Sequence, residues 1–114
     1  MAITEAFTGS EAVSTTEHSM TTDTAGPDVE TSDGVFQCFL DLFDMIAGDE
    51  LQIRIYEKVT ESSTQRIVYQ TNLVGAQAYP VWVSPSLVLL HGWDMTLDAI
   101  VGTITVDWSI RKVA

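Results

Sequence analysis

The chain has 114 residues, and its 16 acidic and 5 basic residues give a formal net charge of -11 at pH 7 and an isoelectric point near 4.1. This length fits one domain, and a hydrophobic content of 46% favours a packed core over a disordered chain. Because phosphate binding needs clustered Lys and Arg, the charge argues against nucleic acid as a direct partner and against anionic membrane surfaces.

Period-two alternation of apolar and polar residues dominates the sequence and predicts β-strands. The clearest case is residues 51–59, where apolar Leu51, Ile53 and Ile55 alternate with mostly polar residues. Turn-forming residues separate such segments at the spacing of a sandwich or jelly roll, and no convincing helical period is present. The predicted fold class is all-β, a β-sandwich or jelly roll of about eight mostly antiparallel strands. In chain order these are residues 3–7, 12–20, 35–42, 51–59, 66–73, 81–90 with a break at Pro85, 93–98 and 104–111.

The charge divides the chain into two unlike parts. The first basic residue is Arg54, so 11 acids and no base lie between the N-terminus and Glu50, whereas five acids and five bases follow. Residues 8–34 are also rich in Ser and Thr, which fits either a disordered arm or polar edge strands. Recurring apolar residues, Val13 and Met20, favour the ordered alternative. We therefore treat residues 1–33 as an acidic N-terminal arm or edge strands and residues 34–114 as the sandwich body, within one domain overall.

Signals for export or membrane insertion are not recognisable. The first residues lack a basic and an apolar signal segment, and the longest apolar runs are too short to span a membrane. Cys38 is the only cysteine, which excludes an intrachain disulfide, and its alternation with Phe36 and Leu40 predicts a buried, inert thiol. These features predict a protein made in a reducing cytoplasm.

Residues suited to catalysis or metal binding are sparse. His18 and His91 are the only histidines, and we interpret His18 as a solvated strand residue and His91 as a turn residue with a structural hydrogen bond. Asp94 and Asp98 alternate with core-type residues, which predicts a solvated polar face. No EF-hand loop, zinc-ligand spacing or phosphate-binding glycine loop is present. We therefore predict that the protein is not an enzyme and that it has no catalytic residues, metal site or cofactor.

Aromatic residues provide the candidate interface. Trp93 and Trp108 are in phase with core residues and predict packing. Trp82 is out of phase with its neighbours, so either its strand is buried on both faces or the ring belongs to a subunit interface or a sugar-stacking platform. Tyr79 lies nearby, and Tyr56 occupies the polar side of its strand. The candidate interface residues are Trp82, Tyr79 and Tyr56.

Several short segments resemble a known group of proteins. They are residues 55–59 (IYEKV), 64–66 (TQR), 83–87 (VSPSL), 91–97 (HGWDMTL) and 108–111 (WSIR). Together they resemble small virion proteins of tailed bacteriophages of the capsid cement or decoration type. The resemblance covers about residues 34–112, and the first 33 residues match no pattern of that group.

The resemblance implies a structural, non-catalytic protein with a β-sandwich or jelly-roll fold. Such a protein docks on the major capsid protein at the outside of the shell, often as a homotrimer, and stabilises the capsid. The expected location is the capsid exterior of the virion, after synthesis in the host cytoplasm. Two alternatives stay open: a phage neck, tail or baseplate component, and a carbohydrate-binding module on a virion appendage.

Overall fold

The computed structural model describes residues 2–113, which form two antiparallel β-sheets packed face to face. No helix occurs in this range. The molecule measures 40 × 32 × 20 Å. Its ten strands are β1 (Ile3–Val13), β2 (His18–Ser19), β3 (Thr24–Ala25), β4 (Gly34–Asp41), β5 (Glu50–Glu57), β6 (Arg66–Val74), β7 (Val81–Val83), β8 (Leu87–Leu89), β9 (Asp94–Val101) and β10 (Ile104–Val113).

Each sheet contains five strands. The first sheet has the order β1-β10-β4-β7, and β8 pairs with the half of β4 that β7 leaves free. The second sheet has the order β3-β2-β9-β5-β6. Every strand pair is antiparallel, which confirms the predicted all-β sandwich.

The core lies between the sheets and follows the alternation read from the sequence. One face of each long strand contributes it, and the apolar residues on the inner faces of β4, β5, β9 and β10 are almost completely buried. The interior-facing residues include Phe36, Cys38, Leu40, Leu51, Ile53, Ile55, Met95, Leu97, Ile104, Val106, Trp108 and Ile110. Burial raises the pKa of the Cys38 thiol to about 12, so the prediction of a buried, inert thiol is confirmed.

The predicted strand at residues 81–90 is split. Ser84 interrupts it, because its main-chain N–H donates to the Cys38 carbonyl (2.9 Å) and its hydroxyl accepts from the Cys38 N–H (2.9 Å). Pro85 follows and has no N–H for a ladder. The chain resumes pairing only at β8, on the far part of β4.

The N-terminal segment is integrated into both sheets. β1 runs from Ile3 to Val13 and pairs with β10 along its length, with one irregularity between Glu5 and Phe7. The predicted strand at 12–20 is wrong for residues 14–17, because the chain there crosses from the first sheet to the second, where β2 pairs with β9. Met20 enters the core directly after β2.

Candidate interaction surfaces

A buried carboxylate organises the outer face of the second sheet. Asp94, at the start of β9, is fully buried. Its Oδ1 accepts hydrogen bonds from the Ser19 hydroxyl (3.0 Å), the Thr21 hydroxyl (2.7 Å) and the Met95 N–H (2.9 Å), and its Oδ2 accepts from the Asp28 N–H (2.8 Å). Burial raises the pKa of Asp94, and these four hydrogen bonds act in the opposite direction. The carboxylate therefore ties residues 19–28 to β9.

Glu17 forms a second polar group on the same face. Its carboxylate accepts from the Tyr56 hydroxyl (2.6 Å) and the Thr96 hydroxyl, and pairs with the Arg54 guanidinium at 3.2 Å. Burial, followed by the hydrogen bond to Glu17, raises the pKa of Tyr56. These bonds fasten the end of the β1–β2 connection over β5 and β9.

The prediction of a solvated polar face is therefore wrong for Asp94. Residues 17–28 cover that part of the second sheet, and the polar side chains beneath them bond to this cover instead of to water. Asp98, four residues further along β9 and on the same face, is only partly buried, and its Oδ1 has no hydrogen-bond partner. Burial raises the pKa of Asp98, and attraction to Arg54 opposes this effect.

The two histidines occupy structural positions. His18 is buried, contrary to the prediction of a solvated residue, because its ring lies 5.6 Å from the Trp108 ring on the inner side of β2. Its Nε2 lies 2.7 Å from Asp23 Oδ1, and its Nδ1 lies 3.6 Å from Glu11. His91 lies in the bend before β9, where its main-chain N–H is 3.4 Å from a carboxylate oxygen of Glu57.

Glu57 fixes that bend from the end of β5. Its two oxygens accept hydrogen bonds from the main-chain N–H groups of Leu90 (2.6 Å), Gly92 (2.9 Å) and Lys58 (2.9 Å), in addition to the weaker one from His91. Burial works against ionisation, but these N–H groups outweigh it, so the pKa of Glu57 is lowered. The carboxylate is thus a structural anchor for the β8–β9 connection.

The three predicted interface residues do not come together. Trp82 lies opposite Leu40 in the ladder, and its ring packs against the core. The alternative of a strand buried on both faces is wrong, because Val81 and Val83 are exposed on the other face of β7. Tyr56 is 9% exposed and bonded to Glu17, so it presents little surface to a partner. Tyr79, in the β6–β7 loop, is 88% exposed.

The outer face of the first sheet carries an apolar strip that the sequence analysis did not identify. Val81 and Val83 of β7, and Val88 of β8, are exposed on the same face as Phe39 of β4. The Arg111 guanidinium lies 3.8 Å from the centre of the Phe39 ring, a cation–π contact that covers part of the strip. The sequence does contain a signal for this strip, the continuous apolar run at 81–83. Because all three residues are apolar, alternation does not show which of them face outward.

Strand β6 provides a sheet edge that is unprotected over residues 69–74. Edge strands are normally protected by charge, proline, irregularity or short length. β1 carries Glu5 and Glu11, β7 and β8 are separated by Pro85, and β3 has two residues. β6 has nine residues and its only charge is Arg66 at its first position, although a bulge at Val68 breaks its register with β5. The regular part, residues 69–74, therefore offers free main-chain groups for pairing.

Residues 2–113 hold no group of three or more His, Cys, Asp or Glu side chains arranged to bind a metal ion. Likewise, none of the segments in this range is a helix of the length and apolar character needed to cross a membrane. Comparisons with protein-family models, with curated proteins and with solved structures found no match to this chain.

Proposed function

We propose that this protein is a structural, non-catalytic component of a bacteriophage virion that binds the outside of the capsid and stabilises it. One observation carries the proposal: polar side chains such as the buried Asp94 and the half-buried Glu17 fix loops onto the sandwich, whereas apolar side chains and a strand edge are left exposed. This distribution suits a binding module. The segments within residues 34–112 resemble capsid decoration proteins, and on this basis we propose the major capsid protein as the partner.

Two surface features support docking on a shell. The neutral edge of β6 is suited to pairing with an extended strand of another chain, because it offers main-chain donors and acceptors without a charged barrier. The apolar strip beside Phe39 adds area that loses water on contact. A capsid lattice presents many equivalent sites, so modest single contacts give firm attachment when the protein binds as an oligomer, for which we propose a homotrimer.

The test is mass spectrometry of purified virions with measurement of copy number. A decoration protein is expected at a fixed ratio to the major capsid protein and in purified heads as well as whole particles. A low copy number confined to tail fractions contradicts the capsid assignment and supports a neck, tail or baseplate component.

A second measurement addresses the sugar-binding alternative. Tyr79 is an exposed ring, but Trp82 is turned toward the core and does not complete a stacking platform with it. We expect no binding on a glycan array. A glycan signal that Tyr79→Ala abolishes would support the carbohydrate-binding alternative instead.

A further inference from the structure

One end of the sandwich has an unusual composition. The end surface consists of the β4–β5 loop (residues 42–49), the β6–β7 loop (75–80), the β9–β10 turn (102–103) and the strand residues that flank them. Antiparallel pairing brings these segments together, because β4, β6 and β9 end where β5, β7 and β10 begin. None of the residues in the three connections is Lys or Arg.

Large apolar side chains project from this end. Phe43 and Ile46, in the β4–β5 loop, are 83% and 65% exposed, and Tyr79 of the neighbouring loop is 88% exposed. Val74 and Val101 are 67% and 49% exposed, and both lie opposite Glu50 in their ladders. Scattered exposed apolar residues are normal, but five on one end of a small domain are a feature of interaction sites.

The loops that carry these side chains are held by hydrogen bonds between them. The Leu42 N–H donates to the Pro80 carbonyl (2.7 Å), and the Gly75 N–H donates to the Asp49 carbonyl (2.8 Å). Asp49 Oδ2 also accepts from the Ile46 N–H (3.0 Å). At the turn, Gly102 has a φ of +90° and lies so close to Asp49 that a side chain there would clash. The end surface is therefore pre-organised, which lowers the entropy cost of binding.

The charge of the end surface has a single sign. Asp44 lies in the β4–β5 loop, and Asp41 of β4 lies directly opposite Asp107 of β10. Like charges placed opposite each other are unfavourable, so this pair gains from an approaching cation. With Phe43 and Thr105, these three acids line a shallow cleft of about 310 Å³.

Arg111 lies next to this surface: its guanidinium stacks on Phe39, and it borders a cleft with Asp41 and Asp107 on the outer face of the first sheet. The other four basic residues lie elsewhere. Lys58 and Arg66 are at the opposite end of the second sheet, and Lys112 is near the opposite end of the first. Arg54, in the middle of β5, already pairs with Glu17.

We propose that the end surface docks on a protein surface that presents Lys and Arg side chains around an apolar depression. Opposite charge favours that partner, and the same acids repel nucleic acid, anionic lipid and the same end of a second copy of this chain. The proposal rests on the proposed function to the extent that the capsid shell is the natural source of such a surface. Binding is expected to weaken as salt rises, because exposed charges are screened.

The first test does not use a capsid. The probe is a short peptide of alternating Lys and Leu, titrated into isotopically labelled protein while amide NMR shifts are followed. Shifts confined to the end surface are expected, with none from a matched peptide of alternating Glu and Leu. Shifts spread evenly over the other acidic regions, such as residues 5–33, would overturn the proposal, because they would show only non-specific attraction.

The second test measures binding to purified heads that lack this protein. Phe43→Ser with Ile46→Ser is expected to weaken binding about tenfold or more, because both apolar anchors are lost. The matched control is Val59→Ser, which removes a 78%-exposed apolar side chain from the opposite end. Asp41→Asn with Asp107→Asn, which keeps the size of both side chains, is expected to weaken binding about threefold, and Glu61→Gln is its control.

The outcomes separate the two proposals. If the wild-type protein binds heads and the end-surface variants bind as tightly as their controls, the end surface is not the docking site, although the capsid function stands. If the wild-type protein does not bind heads, the capsid function fails, and the peptide titration alone decides whether the end surface binds a basic, apolar partner.

Discussion

Asp94 permits a direct measurement of how strongly the polar network holds residues 19–28 on the second sheet. Each carboxylate oxygen accepts a hydrogen bond from a main-chain N–H, Met95 at Oδ1 and Asp28 at Oδ2. In Asp94→Asn one oxygen becomes an NH₂ group, and in either orientation of the amide that group faces an N–H that cannot rotate away. One charge-assisted hydrogen bond is lost, at about 1.5–3 kcal/mol, and a buried donor is left unpaired.

The removal of a buried charge offsets part of this loss, because burial raises the pKa of Asp94. We expect the free energy of unfolding to fall by about 2–3 kcal/mol at pH 7. The measurement is urea denaturation followed by circular dichroism and tryptophan fluorescence.

Asp98→Asn is the matched control on the same face of β9. A raised folded-state pKa means that Asp98 contributes stability below its unfolded pKa and loses it as the pH rises through the folded value. At pH 7 the charge of Asp98 therefore destabilises the folded state, and Asn does not carry this charge. The substitution also breaks no hydrogen bond at Oδ1, because Oδ1 has no partner. The free energy of unfolding is expected to stay the same or rise slightly. If Asp94→Asn costs no more than Asp98→Asn, the reasoning about the main-chain donors is refuted.

Three further predictions concern single side chains. Glu57→Gln should lower the free energy of unfolding more at pH 7 than near pH 3. A lowered pKa gives stability above the unfolded pKa, and this stability is lost as the pH falls through the folded value. Urea denaturation curves at both pH values check this, and an equal loss at both contradicts it. Gly9→Ala should lower the free energy of unfolding by about 1–3 kcal/mol, because the added Cβ would lie within 2.8 Å of Cε2 of the Trp108 ring. An unchanged melting temperature would count against this contact. Trp93→Phe should lower the free energy of unfolding by about 1 kcal/mol more than Trp108→Phe, because the Trp93 indole N–H donates a hydrogen bond and the Trp108 N–H has no partner. Calorimetry of both variants measures this difference, and equal losses would reject it.

Most of the sandwich was predictable because its long strands bury one face. Alternation located β4, β5, β6, β9 and β10 closely, since a strand that meets the core on one side must place apolar residues at every second position. The alternation gave a wrong prediction where a further segment of the chain covers the outer face of a strand. Asp94 and Thr96 look like solvent-facing residues, but the segment at 17–28 lies over them and supplies their hydrogen-bond partners.

The binding surfaces were harder to predict than the core. Of the three candidate interface residues, Tyr79 is exposed, whereas Trp82 packs against the core and Tyr56 bonds to Glu17. Whether loop side chains form one surface depends on which loops lie side by side in the fold. The sequence alone does not show that the loops with Phe43 and Tyr79 lie at the same end of the sandwich. The crossing at residues 14–17 was missed for a related reason, because a change of sheet depends on strand pairing far away in the chain.

The pairing of β1 with β10 has a consequence for synthesis on the ribosome. Ile3 lies opposite Val113 and Val13 lies opposite Ile104, so β1 has no partner until β10 has been synthesised about 90 residues later. Contacts this distant in sequence slow folding and lengthen the time during which an unpaired strand can aggregate. The Ser, Thr and Glu residues of β1, with no base before Arg54, keep the waiting chain hydrated and self-repelling. The acidic composition of β1 is thus expected to favour solubility of the nascent chain during that interval.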